Sequence, residues 1–438
     1  MTINNIIHNK LLRSTFIYTL TDGLNKALGF LLIPWVSFYL IPEELGIVTN
    51  FQVLQNILLL LAGQAIVNSL PYFFYNRSKK EVGTFIFNLL FLIIITNAFF
   101  VLLIFFLFNH IESVLQIGLP FQLLTIVNVI CTLITTLNMT LFRLEEKPLQ
   151  FAFWQTLQII LNVSLVILFV IVLKWGAIGK IYSLVITSSV TGLINMVLLI
   201  KQKYIVFKIS RGYLKEILKF GIPLLPHSLS FWIKSGVDKI VITTYCGLTQ
   251  NGIFSMALSI GAVFSLFSAA FNNAYCPYLQ KRMNLFTQES VVDEKRKIVK
   301  QAYLLGMGYV FLGVFSFLFI WLCFHYFIDK QYIESIGYMP WIIAGQIFTG
   351  FYHLVIQYVY FAKKTIGLGI ITFSCSVLQI LFTFIFIQLY GTIGAAYSTC
   401  LGALITFVLV WIYSNHVYDM PWFYFIKRKW SLIRNDWS

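Results

Sequence analysis

Apolar residues run along this chain in long uncharged blocks, without the strict alternation of a half-buried strand, and the blocks define its elements. Val82 to Phe108 and Phe121 to Leu141 each exceed the roughly 20 residues an α-helix needs to cross a bilayer core. Twelve such blocks occur, at approximately 14–40, 45–72, 82–109, 119–142, 150–173, 177–200, 216–246, 251–279, 298–326, 337–362, 365–389 and 392–415. A membrane β-barrel would instead show alternating segments of about ten residues. The pattern predicts an all-α integral membrane protein of about 12 transmembrane helices.

The blocks come in two similar sets. Tyr39, Gly46-Ile47 and Pro71-Tyr72 recur 206 residues later as Tyr245, Gly252-Ile253 and Pro277-Tyr278. Gly176-x-Ile178-Gly179-x-x-Tyr182-Ser183 recurs 215 residues later as Gly391-x-Ile393-Gly394-x-x-Tyr397-Ser398. The longer polar insert from Met283 to Lys300, against Arg77 to Glu81, accounts for the drift. We therefore expect two six-helix bundles, 1–205 and 206–438, around a central cavity. Six is an even number, so the repeats enter the membrane in the same sense and are parallel. A duplicated, strongly apolar chain is the ordinary plan of a transporter.

Composition agrees with a protein in lipid: 59% hydrophobic and 11% charged residues, with a mean hydropathy of +0.83. The net charge of +15 would suit nucleic acid if it were spread over a soluble surface, but it is not. Of the 31 Lys and Arg, 25 lie in, or within four residues of, the N-terminal segment, the even-numbered connections and the C-terminal tail. The positive-inside rule then places both termini in the cytoplasm, and the basic loops next to anionic lipid, with no nucleic acid as partner. The first apolar block is too long and lacks a small-residue cleavage site, so it is expected to be a helix and not a signal peptide. Six scattered cysteines without paired spacing read as packing residues, neither disulfides nor metal ligands. The short outer connections, such as Ile41 to Leu45 and Leu389 to Thr392, offer no domain to hold donor and acceptor groups, which disfavours an enzyme.

Chemistry is expected at the intramembrane charges. The first block carries Asp22 and Lys26, and the seventh carries Lys234 and Asp238, each pair four residues apart on one helical face, with Lys239 adjacent. Each charge would cost at least about 2.5–3.5 kcal/mol if it faced lipid at the bilayer centre, so all should face a partner or a wet cavity. One reading is two self-satisfied ion pairs that let polar helices pack. The other is a pathway: three cations against two carboxylates, with His227 nearby, suit an anion, and Lys matches phosphate oxygens. Pro223 and Pro226 are expected to break the seventh helix, and Pro34 to bend the first. Amides and hydroxyls, among them Asn25, Asn50, Gln55, Asn272 and Asn273, concentrate on the first, second, seventh and eighth blocks and read as the walls of one central cavity.

The stretch from Leu218 through Pro223, Pro226-His227-Ser228, Ser235-Gly-Val-Asp238-Lys239, Gly252-Ile-Phe-Ser-Met-Ala and Ala274-Tyr-Cys-Pro277-Tyr resembles the Wzx-type polysaccharide flippases of the multidrug/oligosaccharidyl-lipid/polysaccharide exporter superfamily. The likeness covers essentially the whole chain. It implies a cationic cavity at which Lys26, His227, Lys234, Asp238, Lys239, Asn272 and Asn273 contact an undecaprenyl-pyrophosphate-linked oligosaccharide. The lipid-linked unit would move from the cytoplasmic to the outer leaflet of a bacterial inner membrane, for O-antigen or capsule, with a glycan polymerase and chain-length machinery as possible partners. No cofactor is implied. Asp22 is similar to the acidic residue that drug exporters of the superfamily use for proton or sodium coupling, which keeps a cation-coupled multidrug exporter as the alternative.

Overall fold

The computed structural model describes residues 10–75, 77–284 and 291–424. Among them are twelve long helices and no strand: α1 (Lys10–Tyr39), α2 (Pro42–Phe74), α3 (Lys79–Leu115), α4 (Leu119–Leu144), α5 (Pro148–Val172), α6 (Gly176–Lys201), α7 (Arg211–Cys246), α8 (Leu248–Met283), α9 (Val291–Tyr326), α10 (Ser335–Phe361), α11 (Thr365–Tyr390) and α12 (Ile393–Val417). Ten are long and apolar enough to cross a membrane. The other two, α1 and α7, carry the intramembrane charges.

Local chemistry explains the boundaries. Ser78 accepts from the Glu81 amide while the Glu81 carboxylate accepts from the Ser78 amide, a reciprocal cap that starts α3. Helices α4 and α5 carry a proline in the first turn, where its missing N–H costs nothing. The repeated Gly-x-Ile-Gly motif makes a turn: Gly176 at the first residue of α6 and Gly391 before α12 sit at φ +57° and +69°, a region glycine enters without steric cost. Helix α3 runs to Leu115, which reduces the connection expected over 109–118 to three residues. His110, Glu112 and Ser113 remain helical because a helix can continue past the apolar core into the headgroup zone.

The expected break in α7 is absent and one appears in α2. Helix α7 passes through Pro223 and Pro226 without interruption, as membrane helices do when neighbours and side chains satisfy the freed backbone groups. The Ser37 and Ser230 hydroxyls bond back to the Pro34 and Pro226 carbonyls, a device that bends helices. Helix α2 instead widens into a π-turn at Leu60–Gln64 and interrupts at Asn68–Ser69, just before Pro71. The Ala62 carbonyl in that wide turn accepts from the Thr96 hydroxyl of α3 at 2.6 Å. Gly221 of α7 packs against Ile66 beside it.

The helices form two compact units. The first holds residues 1–259 with 326–335, the second 260–325 with 336–438. In the first, the core runs through Leu89, Val129, Leu133 and Leu137 and includes Ile217 of α7. The linker before α7 is fixed to α3: buried Asn88 donates to the Lys208 carbonyl at 2.9 Å and accepts from the Ser210 amide at 2.9 Å. Tyr204, in the same linker, donates to Glu145 at 2.5 Å. Burial and the carboxylate acceptor push its hydroxyl well above the usual tyrosine range, so it remains a donor. The segment 326–335 returns to the end of α1, where fully buried Tyr332 donates to the Leu40 carbonyl at 2.8 Å and Gln331 donates to the Ser37 carbonyl at 2.8 Å. In the second unit Phe264, Ile298, Tyr358 and Val410 form the core.

Several basic residues of the even-numbered connections lie over aromatic rings: Arg77 on Phe73, Lys79 on Tyr204, Arg143 on Phe151 and Lys295 on Tyr418, at 4.5–5.0 Å. Such contacts contribute on the order of 0.5–1 kcal/mol at exposed sites. All six cysteines are free.

Candidate functional site

Helix α7 brings three of the predicted charges to one turn. Asp238 is 5% exposed, and its Oδ1 accepts from the Lys239 amide at 2.9 Å with the Lys239 ammonium 3.8 Å away. The same ammonium donates to the Ser235 carbonyl. Lys234, one turn earlier, is half-buried. The described partner of Asp238 is thus Lys239, its neighbour in sequence. Two lysines and one carboxylate within a turn leave a formal surplus of one positive charge, whichever lysine the carboxylate faces.

Asn272 of α8 accepts from Gln357 of α10 at 3.2 Å, and Gln357 in turn accepts from the Cys276 thiol. This amide therefore takes part in an interhelical hydrogen-bond chain. The side chains of Asp22, Lys26, His227 and Asn273 lie outside the described residues, although the backbone at all four positions is helical.

A second polar group lies at the end of the first unit where α2 and α8 begin and α3 and α7 finish, and it holds Asn50, which the sequence alone reads as a cavity wall. Asn50 is fully buried and donates to the Leu115 carbonyl at 2.6 Å. Its carbonyl accepts from Asn251 at 2.8 Å, and the Asn251 amide also reaches the Thr243 hydroxyl at 3.0 Å. Asn50 thus ties α2, α3, α7 and α8 together. Buried amides make such junctions because each unmet donor or acceptor costs about 1–3 kcal/mol.

One turn from this junction α2 and α8 cross at two glycines. A Cβ on Gly46 would stand 2.2 Å from the Leu248 carbonyl oxygen, and a Cβ on Gly252 would stand 1.8 Å from that of Pro42. Both pairs obey the 206-residue offset, since Gly46 corresponds to Gly252 and Pro42 to Leu248. The crossing is an internal isologous contact, in which each repeat offers the same patch to the other. The repeated Gly-Ile had marked these positions in the sequence, but their meeting required the structure. Asn25 and Gln55 take yet another place, lining a polar cavity of about 360 Å³ inside the first unit.

The family described as polysaccharide biosynthesis protein matches residues 11–283. An uncharacterised membrane protein of Haemophilus influenzae is 23% identical over 407 residues, covering 90% of this chain and 94% of the relative. The Lsg locus putative protein 1 of the same organism is 22% identical over 308 residues, covering 68% and 72%. Among solved structures, the lipid II flippase MurJ in an inward closed conformation superposes with a TM-score of 0.73 at 15% identity, over 91% of this chain and 87% of that one. An inward-facing multidrug resistance MATE family transporter of the MOP superfamily gives 0.67 at 18% identity, over 89% and 94%. At these identities the superpositions establish the fold, a twelve-helix arrangement of two repeats.

Proposed function

We propose, because this chain belongs to the polysaccharide biosynthesis protein family, that it is a flippase carrying undecaprenyl-pyrophosphate-linked oligosaccharide units from the cytoplasmic to the outer leaflet of a bacterial inner membrane. The family match, on a chain with the fold of membrane transporters, is the observation that supports this reading most strongly. The work is translocation without covalent chemistry. Lys234 and Lys239 supply mobile point charges for the pyrophosphate, and the surplus cation on α7 favours an anionic cargo. Alternating access also needs contacts that separate, and we assign that role to the α2/α8 glycine crossing and the Asn50 junction, at the outer face in this reading. Delivered units then pass to a glycan polymerase and its chain-length machinery for O-antigen or capsule.

Reconstitution of the purified chain into proteoliposomes tests the reading. A fluorescent lipid-linked oligosaccharide loaded in one leaflet should become accessible in the other at a rate well above protein-free vesicles. The superposition on a MATE transporter supports a second reading, a cation-coupled multidrug exporter. Ion-gradient-driven dye efflux without lipid-linked oligosaccharide movement would establish that reading in place of the first.

Orientation is testable separately. With both termini cytoplasmic, single cysteines at Lys79, Arg143, Lys203, Lys295 and Lys364 should resist an impermeant thiol reagent in intact cells, while those at Glu43, Glu112 and Asp329 should react. Labelling of positions 203 and 295 from outside would reverse the orientation.

A further inference from the structure

The cavity of about 360 Å³ within the first unit is bounded by α1, α2, α4, α5 and α6, and amides and hydroxyls supply its polar lining, among them Asn25, Gln55, Asn128, Asn162, Thr187 and Ser188. Among the described residues none that lines it is charged. Some of these groups already bond one another: Asn162 donates to the Ser183 carbonyl and the Thr187 hydroxyl, both at 3.3 Å, and Asn128 accepts from Thr132 at 3.2 Å. Asn25 differs. Its residue is 7% exposed, it lines the cavity, and neither its amide nitrogen nor its oxygen has a partner. A buried amide with both functions unmet is a place where a ligand offering both a donor and an acceptor would be held.

The described lining favours a neutral ligand. Hard cations take carboxylate and carbonyl oxygens in sets that include negative charge, and anions take Arg, Lys or helix N-termini. A wall of primary amides and hydroxyls, each able to give and accept, matches a neutral molecule whose own groups are hydroxyls and amides. Its volume lies near the lower end of the roughly 300–1,000 Å³ range of small-molecule pockets, which suits a single sugar ring better than a longer glycan.

We propose that this cavity is a binding site for one neutral monosaccharide ring, with Asn25 as its central contact. The assignment of that ring to the glycan of a translocated lipid-linked unit rests on the function proposed above; the binding itself does not.

The test uses the full-length chain purified in detergent. Glucose, galactose, N-acetylglucosamine and N-acetylgalactosamine are titrated separately and followed by saturation-transfer NMR and thermal unfolding, with sodium and potassium chloride titrated in parallel. At least one sugar should give a saturable signal. Asn25→Leu should weaken that sugar at least tenfold and, by removing an unmet buried amide, should raise the melting temperature of the sugar-free protein. A conservative Asn25→Gln should retain part of the binding. Absence of saturable binding for all four sugars, a signal unchanged in Asn25→Leu, or a response to the salts alone would each overturn the proposal, the last pointing to a cation site or a water-filled void. Sugar binding without movement of lipid-linked oligosaccharide in proteoliposomes would keep this site and remove the flippase reading, whereas movement without sugar binding would do the reverse.

Discussion

Gly252→Ala is expected to leave little intact protein in the membrane, and Gly46→Ala to act in the same direction. The added methyl carbon would stand 1.8 Å from the Pro42 carbonyl oxygen in the first case and 2.2 Å from the Leu248 carbonyl oxygen in the second. Neither obstacle is a side chain that can turn aside. The helices must part, and that loosens the neighbouring Asn50–Asn251–Thr243 junction with its fully buried amides. Overpacking typically costs about 1–3 kcal/mol and occasionally more; a rigid backbone obstacle puts these substitutions at or above the upper end. Gly308→Ala is the control, because a Cβ there meets nothing within 4 Å and alanine is the better helix former by about 1 kcal/mol. Fluorescence-detected size exclusion of tagged variants measures the folded fraction. The double variant should be scarcely worse than Gly252→Ala alone, since one separation relieves both clashes. Wild-type abundance and export in Gly252→Ala would show that the crossing is not a tight contact in the working protein.

The second large effect concerns the charges of α7. Removing the ammonium of Lys239 takes from Asp238 the cation 3.8 Å away while the carboxylate stays buried. Breaking one side of a buried pair costs about 3–5 kcal/mol when nothing resolvates the survivor. Lys239→Ala should therefore lower membrane abundance, and adding Asp238→Ala should restore it. Lys234→Ala should behave differently, with near-normal abundance and strongly reduced export, because its role is attraction of the pyrophosphate. Abundance and glycan export are to be measured together in these three variants and in Lys234→Ala with Asp238→Ala. Full export by that last double variant would remove Lys234 and Asp238 from the substrate path. A fall in abundance in Lys234→Ala that Asp238→Ala reverses would make Lys234 the balancing charge.

The helices themselves were legible because membrane spans are written as long apolar blocks, and most observed boundaries fall within a few residues of those read from sequence. Legibility failed where a residue's role depends on which neighbour its helical face meets. Asn25, Asn50 and Asn272 look alike in the sequence, three amides on polar helices. The fold makes the first a cavity wall, the second a junction of four helices and the third a partner of Gln357. Prolines misled for a related reason. Pro223 and Pro226 are the obvious breakers in α7, yet that helix is continuous, while the π-turn of α2 has no proline and its Ala62 carbonyl accepts from the Thr96 hydroxyl of another helix. The charges of α7 could be found by eye, but the proximity of Asp238 to the adjacent Lys239 depends on rotamers that spacing does not specify.

The membership of the first unit bears on how the protein is made. That unit contains α7 and the segment 326–335 in addition to the first six helices. A ribosome that has just delivered Lys201 has produced six apolar helices without the strand of chain that Leu40 and Ser37 bond to. At about 5–20 residues per second, the interval until Ser335 emerges is on the order of ten seconds. Throughout it the end of α1 is unpartnered at those carbonyls, and α9, from the other unit, must be inserted before the first can close. Insertion factors that shelter polar membrane segments would therefore be needed longest by the helices made earliest.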